Sequence, residues 1–316
     1  MSFHEELLMD FRAMQTFRKS VGYKASSYDL SLLPFIAFCG NNYPNATYIT
    51  KEIIDSWLAY HHYNKRNSKG SFISGLRQYT KFINALGKKA FIPDDDYTVQ
   101  HEQYVPYVFT DNELKIFFHT VDTIQPMPKK WRRDIILPVL FRMMYCCGMR
   151  PSEPLSLKNE DVDLKTGDIY IRQAKGSKDR HIIMSEDMRQ LCIKYNAFAG
   201  RREWFFQKWD GAPLPTYWMD SQFHKCINGS SLFKRGNPRP YDLRHAFATR
   251  NLMRWTDEGR DVMTLLPYLS AYMGHSQFQY TLYYVHLLSE RLRSSAGIDW
   301  SQFDTIYGKV KADEEN

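Results

Sequence analysis

Apolar residues recur at three- and four-residue spacing along almost the whole chain. They give way only once to β-rich runs, at Asp168–Gln173 and Arg180–Met184. A helix period does not settle as a strand, nor a strand period as a helix. The pattern therefore predicts a mainly α protein with a small antiparallel β-sheet. In the first ninety residues, Leu7, Phe11, Met14 and Phe17 mark a helix over His4–Ser20. A second helix runs over Ser27–Cys39 and stops near Gly40-Asn41-Asn42. Thr50 caps a third, carrying Ile53, Ile54, Trp57 and Leu58. A fourth, Ser71–Leu86, turns Ile73, Leu76, Tyr79, Phe82 and Ile83 inward. Lys65, Arg66, Lys69, Arg77 and Lys81 lie on its other face and in the loop before it, and by themselves they read as a solvated face.

Pro93-Asp94-Asp95-Asp96 through Pro106 is polar, proline-bounded and without periodicity, as an interdomain linker is. Neighbouring aspartates do not converge on one ion without special geometry, so a solvated linker is preferred there to a metal site. The expected organisation is a helical domain at 1–93, a linker at 94–106, a second domain at 107–290 and a tail at 291–316. A chain of 316 residues can bury a core in each of two domains. In the second domain, Thr110-Asp111-Asn112-Glu113 is a capping box, and an apolar helix follows over Arg132–Cys147. The β-rich runs flank Ala174-Lys175-Gly176-Ser177-Lys178-Asp179, a hairpin with a basic tip. Helices resume at Glu186–Phe198, Asp220–Asn228, Asp242–Thr256, Asp261–Tyr272 and Gln277–Leu288, and Lys311–Asn316 is polar.

The formal charge of +7 favours an acidic partner, most commonly nucleic acid. Five cysteines, odd in number and without a C-x-x-C pair, argue against a disulfide framework or a zinc ribbon and suit a reducing cytoplasm. Residues 1–20 are charged and amphipathic, unlike a signal peptide, and no apolar run approaches membrane-spanning length.

Four segments share one chemical logic. Gly148-Met149-Arg150-Pro151-Ser152-Glu153 sets an arginine in a glycine-proline turn after an apolar helix. Lys175 occupies the hairpin tip. Tyr241-Asp242-Leu243-Arg244-His245 opens a helix, where free N–H groups and the dipole favour an anion. Met273-Gly274-His275 closes one helix, and Tyr284 follows nine residues after the histidine. Two arginines can hold the non-bridging oxygens of a phosphodiester, more tightly as negative charge builds in the transition state. A tyrosine hydroxyl beside them could attack phosphorus, and a lysine could protonate the departing 5′-oxygen. The arginines would take the electrostatic role of a metal, so no metal or other cofactor is expected.

These segments resemble the tyrosine recombinase (phage integrase) family, over nearly the whole chain and most specifically from Phe109 to Leu288. The resemblance implies that Arg150 and Arg244 are catalytic arginines, with Glu153 the acidic companion of the first. It makes Lys175 the general acid, His275 the histidine of the closing motif and Tyr284, rather than Tyr283, the nucleophile. It likens the N-terminal helices to the family's core-binding domain, which shares a C-shaped grip on DNA with the catalytic domain. Lys65, Arg66, Lys69, Arg77, Lys81 and Lys178 are then DNA-binding candidates. The family usually has histidine where this chain has Tyr241, which could serve as a phosphate contact. His245 is given no role, because the family often carries a histidine there without a catalytic one. The step from Arg244 to His275 is longer than the family norm, and the polar Trp255–Val262 segment reads as a loop insertion.

The function so implied is that of a site-specific recombinase or integrase of a mobile genetic element, cutting and rejoining DNA through a 3′-phosphotyrosyl intermediate without metal or ATP. Its partner is a double-stranded DNA recombination site, bound by a homotetramer in the synaptic complex, with no membrane involved. Accessory DNA-bending or directionality proteins fit the same picture, and Leu287–Gly308 could dock between subunits. The location is cytoplasmic, on the nucleoid when bound to DNA. The alternatives are a non-catalytic DNA-binding protein on this fold and a type IB topoisomerase-like relaxing activity.

Overall fold

The computed structural model describes residues 2–23, 27–63, 66–97, 106–126, 132–174, 178–228, 236–275 and 277–286. The chain divides into two compact units, Met1–Tyr104 and Val105–Asn316. The described residues are mainly helical, with one three-stranded antiparallel sheet. No described helix is long and apolar enough to cross a membrane.

The first unit holds α1 (Phe3–Ser20), α2 (Ser27–Asn42), α3 (Lys51–Tyr60) and α4 (Arg66–Ala85). A capping box starts α1: Ser2 Oγ accepts from Glu5 N–H at 3.2 Å and Ser2 N–H donates to the Glu5 carboxylate at 2.8 Å. Leu7, Phe11 and Met14 are buried as their spacing predicts, but Phe17 is 54% exposed, because the helix outruns the core it packs on. Helix α2 ends at Asn42, within the predicted Gly40-Asn41-Asn42 stop. Gly40 also meets a packing need: a Cβ there would stand 2.5 Å from the His4 Cβ. Thr50 caps α3 through Ile53 N–H, and α4 is tied to α1 by the Tyr79 hydroxyl donating to Leu7 O at 2.6 Å. Lys88 sits 2.8 Å from the buried Asp10 and 2.9 Å from Glu6. Phe35 meets Trp57 and Phe72 edge-on within the core. Asp95–Tyr97, within the stretch read as linker, form a 3-10 turn whose Tyr97 is buried and donates to Asp55.

The second unit holds α5 (Asp111–Asp122), α6 (Arg133–Cys147) and the single turn α7 (Ser152–Leu155). Strands β1 (Val162–Asp163), β2 (Asp168–Ala174) and β3 (Lys178–Ile183) follow, and then α8 (Glu186–Ala199) and α9 (Thr216–Asn228). The last helices are α10 (Pro240–Asp257), α11 (Val262–Met273) and α12 (Gln279–His286). The Thr110–Glu113 capping box forms as predicted. Helix α6 is the centre of the unit, with Leu137, Leu140, Phe141, Met143 and Met144 all fully buried, and it packs on α5, α8 and α10. Each such side chain contributes roughly 1.5–3 kcal/mol of hydrophobic stabilisation.

The strands pair in the order β1-β2-β3, with Ile169 opposite Ile182 and Ile171 opposite Arg180. Ile169, Ile171 and Ile182 face the core. The two-residue β1 lies below the length at which a sequence alternation is visible. The Trp255–Val262 segment forms the last turn of α10, a short connection and the first residue of α11, rather than a separate inserted loop. A second apolar cluster, including Leu252, Leu266, Met273 and Val285, joins α10, α11 and α12 and so fixes where Tyr284 stands.

Candidate active site

Two helix ends converge to make the back of the site. Helix α6 closes on Gly148, in the left-handed region at φ 62°, where a Cβ would strike the Phe247 ring at 2.5 Å. Helix α11 closes in the same way on Gly274, at φ 65°. The carbonyls exposed there carry the negative ends of the helix dipoles and attract cations. Arg244, at 0% exposure, answers both: Nη1 donates to Gly148 O at 2.6 Å and Nη2 to Met273 O at 2.7 Å. Its buried Nε has no hydrogen-bond partner. Arg150 donates from Nη2 to Gly274 O.

Glu153 joins these parts. It accepts from Arg150 N–H at 2.8 Å and from Arg150 Nη1 at 2.9 Å. Arg180, from β3, grips the same carboxylate with Nη1 and Nη2, each at 2.8 Å, and sends Nε to Tyr272 O at 2.9 Å. Burial would push the Glu153 carboxyl up. Hydrogen bonds and charge from Arg180, with the Arg150 N–H and the Arg244 charge, bring it below its ordinary value instead.

The front of the site is a cavity of about 200 Å³ lined by Arg150, Tyr241, His245, His275, Tyr280, Tyr283 and Tyr284. Tyr284 is 3% exposed, and its hydroxyl lies 3.1 Å from His245 Nδ1. The His275 ring stacks on the Tyr284 ring at 5.9 Å and 21°, while its Nδ1 meets Thr281 Oγ1 at 2.7 Å. The Tyr241 ring is 4.9 Å from that of His245. Burial pushes Tyr284 above the usual phenol range, and the Arg244 charge offsets part of this. His245 is pushed down to about 3 by burial, then by Arg244 and Arg239. His275 is likewise pushed down to about 3, by burial, Arg244, Arg150 and Arg180. Near neutral pH the cavity thus holds a protonated phenol beside two neutral imidazoles and a guanidinium.

Of the residues singled out in the sequence, Arg150, Glu153, Tyr241, Arg244, His275 and Tyr284 come together. Arg244 differs from expectation in standing behind the cavity, wholly buried, with both Nη atoms committed to backbone carbonyls. Lys175 and Lys65 lie outside the described residues, as do the side chains of Arg66 and Lys178. In the first unit Lys69 is half-buried and Lys81 exposed, while Arg77 donates to Pro93 O at 2.7 Å and to Asp94 O.

Sequence reasoning passed over two side chains that the fold brings in. His245 had been left without a role. Arg180 carried a signal that went unused: it alternates with Ile182 on the inward parity of β3, and a buried guanidinium requires a carboxylate partner.

The phage integrase family matches residues 108–291, more than half of the chain. The chain belongs to that family, the tyrosine recombinases. A tyrosine recombinase XerC of Staphylococcus saprophyticus is 25% identical over 235 residues, which is 72% of this chain and 74% of the relative. A lambda integrase dimer bound to a core site superposes with a TM-score of 0.64 at 18% identity, covering 95% of this chain and 80% of that one. A lambda integrase tetramer bound to a Holliday junction gives a TM-score of 0.62 at 17% identity, over 88% of this chain and 78% of that one. These two structural likenesses bear on the fold.

Proposed function

We propose that this chain is a site-specific DNA recombinase of a mobile genetic element, acting through a covalent link between Tyr284 and the 3′-phosphate of a cleaved strand. The observation that carries the reading is the position of the Tyr284 hydroxyl, buried in a cavity that also presents the Arg150 guanidinium and two neutral histidines. A scissile phosphate in this cavity would meet Arg150 directly, with Arg150 held in place by Glu153, which Arg180 holds in turn. The buried charge of Arg244 lies behind, with one N–H uncommitted. Cationic donors so placed favour the extra negative charge of a pentacoordinate phosphorus over the ground-state diester. Tyr241 and His275 would donate to phosphate oxygens, and Lys175 would protonate the 5′-oxygen as the P–O bond breaks.

Lys65, Arg66, Lys69, Arg77, Lys81 and Lys178 are assigned to phosphates along the duplex, where contacts position the protein without reading sequence. The tetramer seen for lambda integrase on a Holliday junction supports a homotetramer as the working state. Accessory DNA-bending or directionality proteins are compatible with this scheme.

The test is a suicide substrate built from the ends of the native element, scored for an SDS-resistant protein–DNA adduct. The wild type and Tyr283→Phe should form it, and Tyr284→Phe should not. An adduct lost only in Tyr283→Phe would move the nucleophile by one residue. DNA binding without any adduct would shift the reading to a non-catalytic DNA-binding protein. Relaxation of supercoiled DNA without a specific site would shift it to a topoisomerase-like activity.

A further inference from the structure

A phenol that attacks phosphorus must lose its proton, and burial makes that loss harder for Tyr284. The groups around it differ in what they can accept. Arg150 and Arg244 are cations without a lone pair to offer. Tyr241 is a poor base at neutral pH. His275 has its ring stacked against Tyr284 and its Nδ1 engaged with Thr281 at 2.7 Å, so this nitrogen is occupied elsewhere. His245 points Nδ1 at the Tyr284 hydroxyl across 3.1 Å.

The other edge of the His245 ring faces a carboxylate. Its Nε2 lies 3.9 Å from Asp242 Oδ1, three residues back on α10. Asp242 is at 0% exposure and is held from two directions, accepting from Arg239 N–H at 2.6 Å and from Tyr107 N–H at 3.3 Å. At 3.9 Å this is a charge contact rather than a hydrogen bond. A fixed carboxylate on that side nonetheless favours the tautomer with its proton on Nε2, which leaves the Nδ1 lone pair toward the tyrosine. Burial and the charges of Arg244 and Arg239 work against the imidazolium that forms when that lone pair takes a proton, and the Asp242 carboxylate opposes them. The order Asp242, His245, Tyr284 thus gives carboxylate, imidazole and nucleophile the relation they have in hydrolytic triads.

We propose that His245 is the proton acceptor for Tyr284, with Asp242 as the group that orients it, an assignment that rests on the recombinase reading above. In the forward step the Oη–H bond breaks and its proton passes to His245 Nδ1. The Oη–P bond forms, the P–O5′ bond breaks, and the 5′-oxygen takes its proton from a separate ammonium donor, the role assigned to Lys175. In rejoining, the 5′-hydroxyl gives up its proton to that amine and attacks phosphorus. The imidazolium then returns its own proton to the departing tyrosine. The same α10 turn that carries Arg244 behind the cavity therefore carries the base in front of it. This also accounts for a chain that lacks a histidine at position 241 and keeps one at 245.

The experiment compares single-turnover adduct formation by the wild type, His245→Asn, His245→Ala and Tyr284→Phe on the same suicide substrate. Thermal melting and DNA affinity are measured for each variant to establish that it is folded and bound. Asparagine can keep a hydrogen bond to the tyrosine but cannot take up its proton. His245→Asn is therefore expected to bind DNA normally and to form adduct at least about a hundredfold more slowly. Added imidazole should raise the rate of His245→Ala and leave Tyr284→Phe inactive. A folded His245→Asn that forms adduct within about threefold of the wild-type rate overturns the assignment while leaving the recombinase reading intact. A wild type that binds this DNA and forms no adduct overturns that reading and this assignment with it.

Discussion

The back of the site is built from charged residues and the front mostly from phenols and imidazoles, and the two behave differently. At the back, Glu153, Arg180 and Arg244 are closed in by hydrogen bonds: the carboxylate takes four, and Arg244 joins two helix ends 96 and 29 residues away in sequence. At the front, the Tyr284 hydroxyl lies 3.1 Å from one imidazole, and the space beside it is open. An ion network with most of its hydrogen bonds made is costly to disturb, so it serves as a fixed frame. The phenol, with His245 and the Arg244 guanidinium at its hydroxyl and open space beside it, is where protons and incoming charge can be accommodated. Rigidity behind and proton mobility in front are what a group-transfer site requires.

The largest effect should come from breaking the frame. Glu153→Ala leaves Arg150 and Arg180 facing each other without their shared carboxylate, and about 3–5 kcal/mol of stability should be lost. Urea unfolding would measure this, and a loss below 1 kcal/mol would mean the frame relaxes freely. Arg180→Lys should cost less, roughly 1–3 kcal/mol, because one ammonium cannot reproduce the bidentate grip or reach Tyr272 O as well. Its adduct formation should slow while DNA affinity stays near wild type, since Arg180 touches Arg150 only through Glu153. Equal losses in binding and rate would contradict that.

The smallest effect separates front from back by pH. His245 and His275 have folded-state values of about 3, below the ordinary 6.5, so the unfolded chain binds protons first as pH falls. Their contribution is complete above about pH 6.5 and is lost progressively between there and pH 3. A step from pH 7 to 6 should cost on the order of 1 kcal/mol. Glu153 is also depressed, and its contribution begins to fall only below its ordinary 4.5. Urea midpoints from pH 7 to 4 should therefore decline early in the wild type and less so in His245→Asn. Identical profiles would show that His245 is not the buried neutral group described here.

Much of the architecture was legible before any fold was known, because helix period, capping boxes and the one β-rich interval are local. Ser2–Glu5 lay outside that reading, but Thr110–Glu113, the hairpin and the positions of α6, α8, α10 and α11 follow from neighbours a few residues apart. The α2 stop at Gly40-Asn41-Asn42 is local too, while the need for a glycine at 40, where His4 approaches, shows only in the packing. Phe17 keeps the apolar spacing beyond the end of the core. In the site, motif spacing singled out Arg150, Arg244, His275 and Tyr284, while the roles of Arg180 and His245 needed their partners to be seen.

What the sequence by itself determined is which chemical groups exist and on which local elements they sit: two arginines after and within helix termini, a histidine after Gly274, a tyrosine nine residues on. Only the tertiary structure decided which groups touch. His245 reaches Tyr284 across 39 residues and Arg180 reaches Glu153 across 27. Arg244 is held at the back of the cavity, beside Tyr284, because two helix C-termini meet around it. Local preferences act over one or two turns, whereas these contacts depend on the angles and distances at which α6, α10, α11, α12 and the hairpin pack, and those are set by the core as a whole.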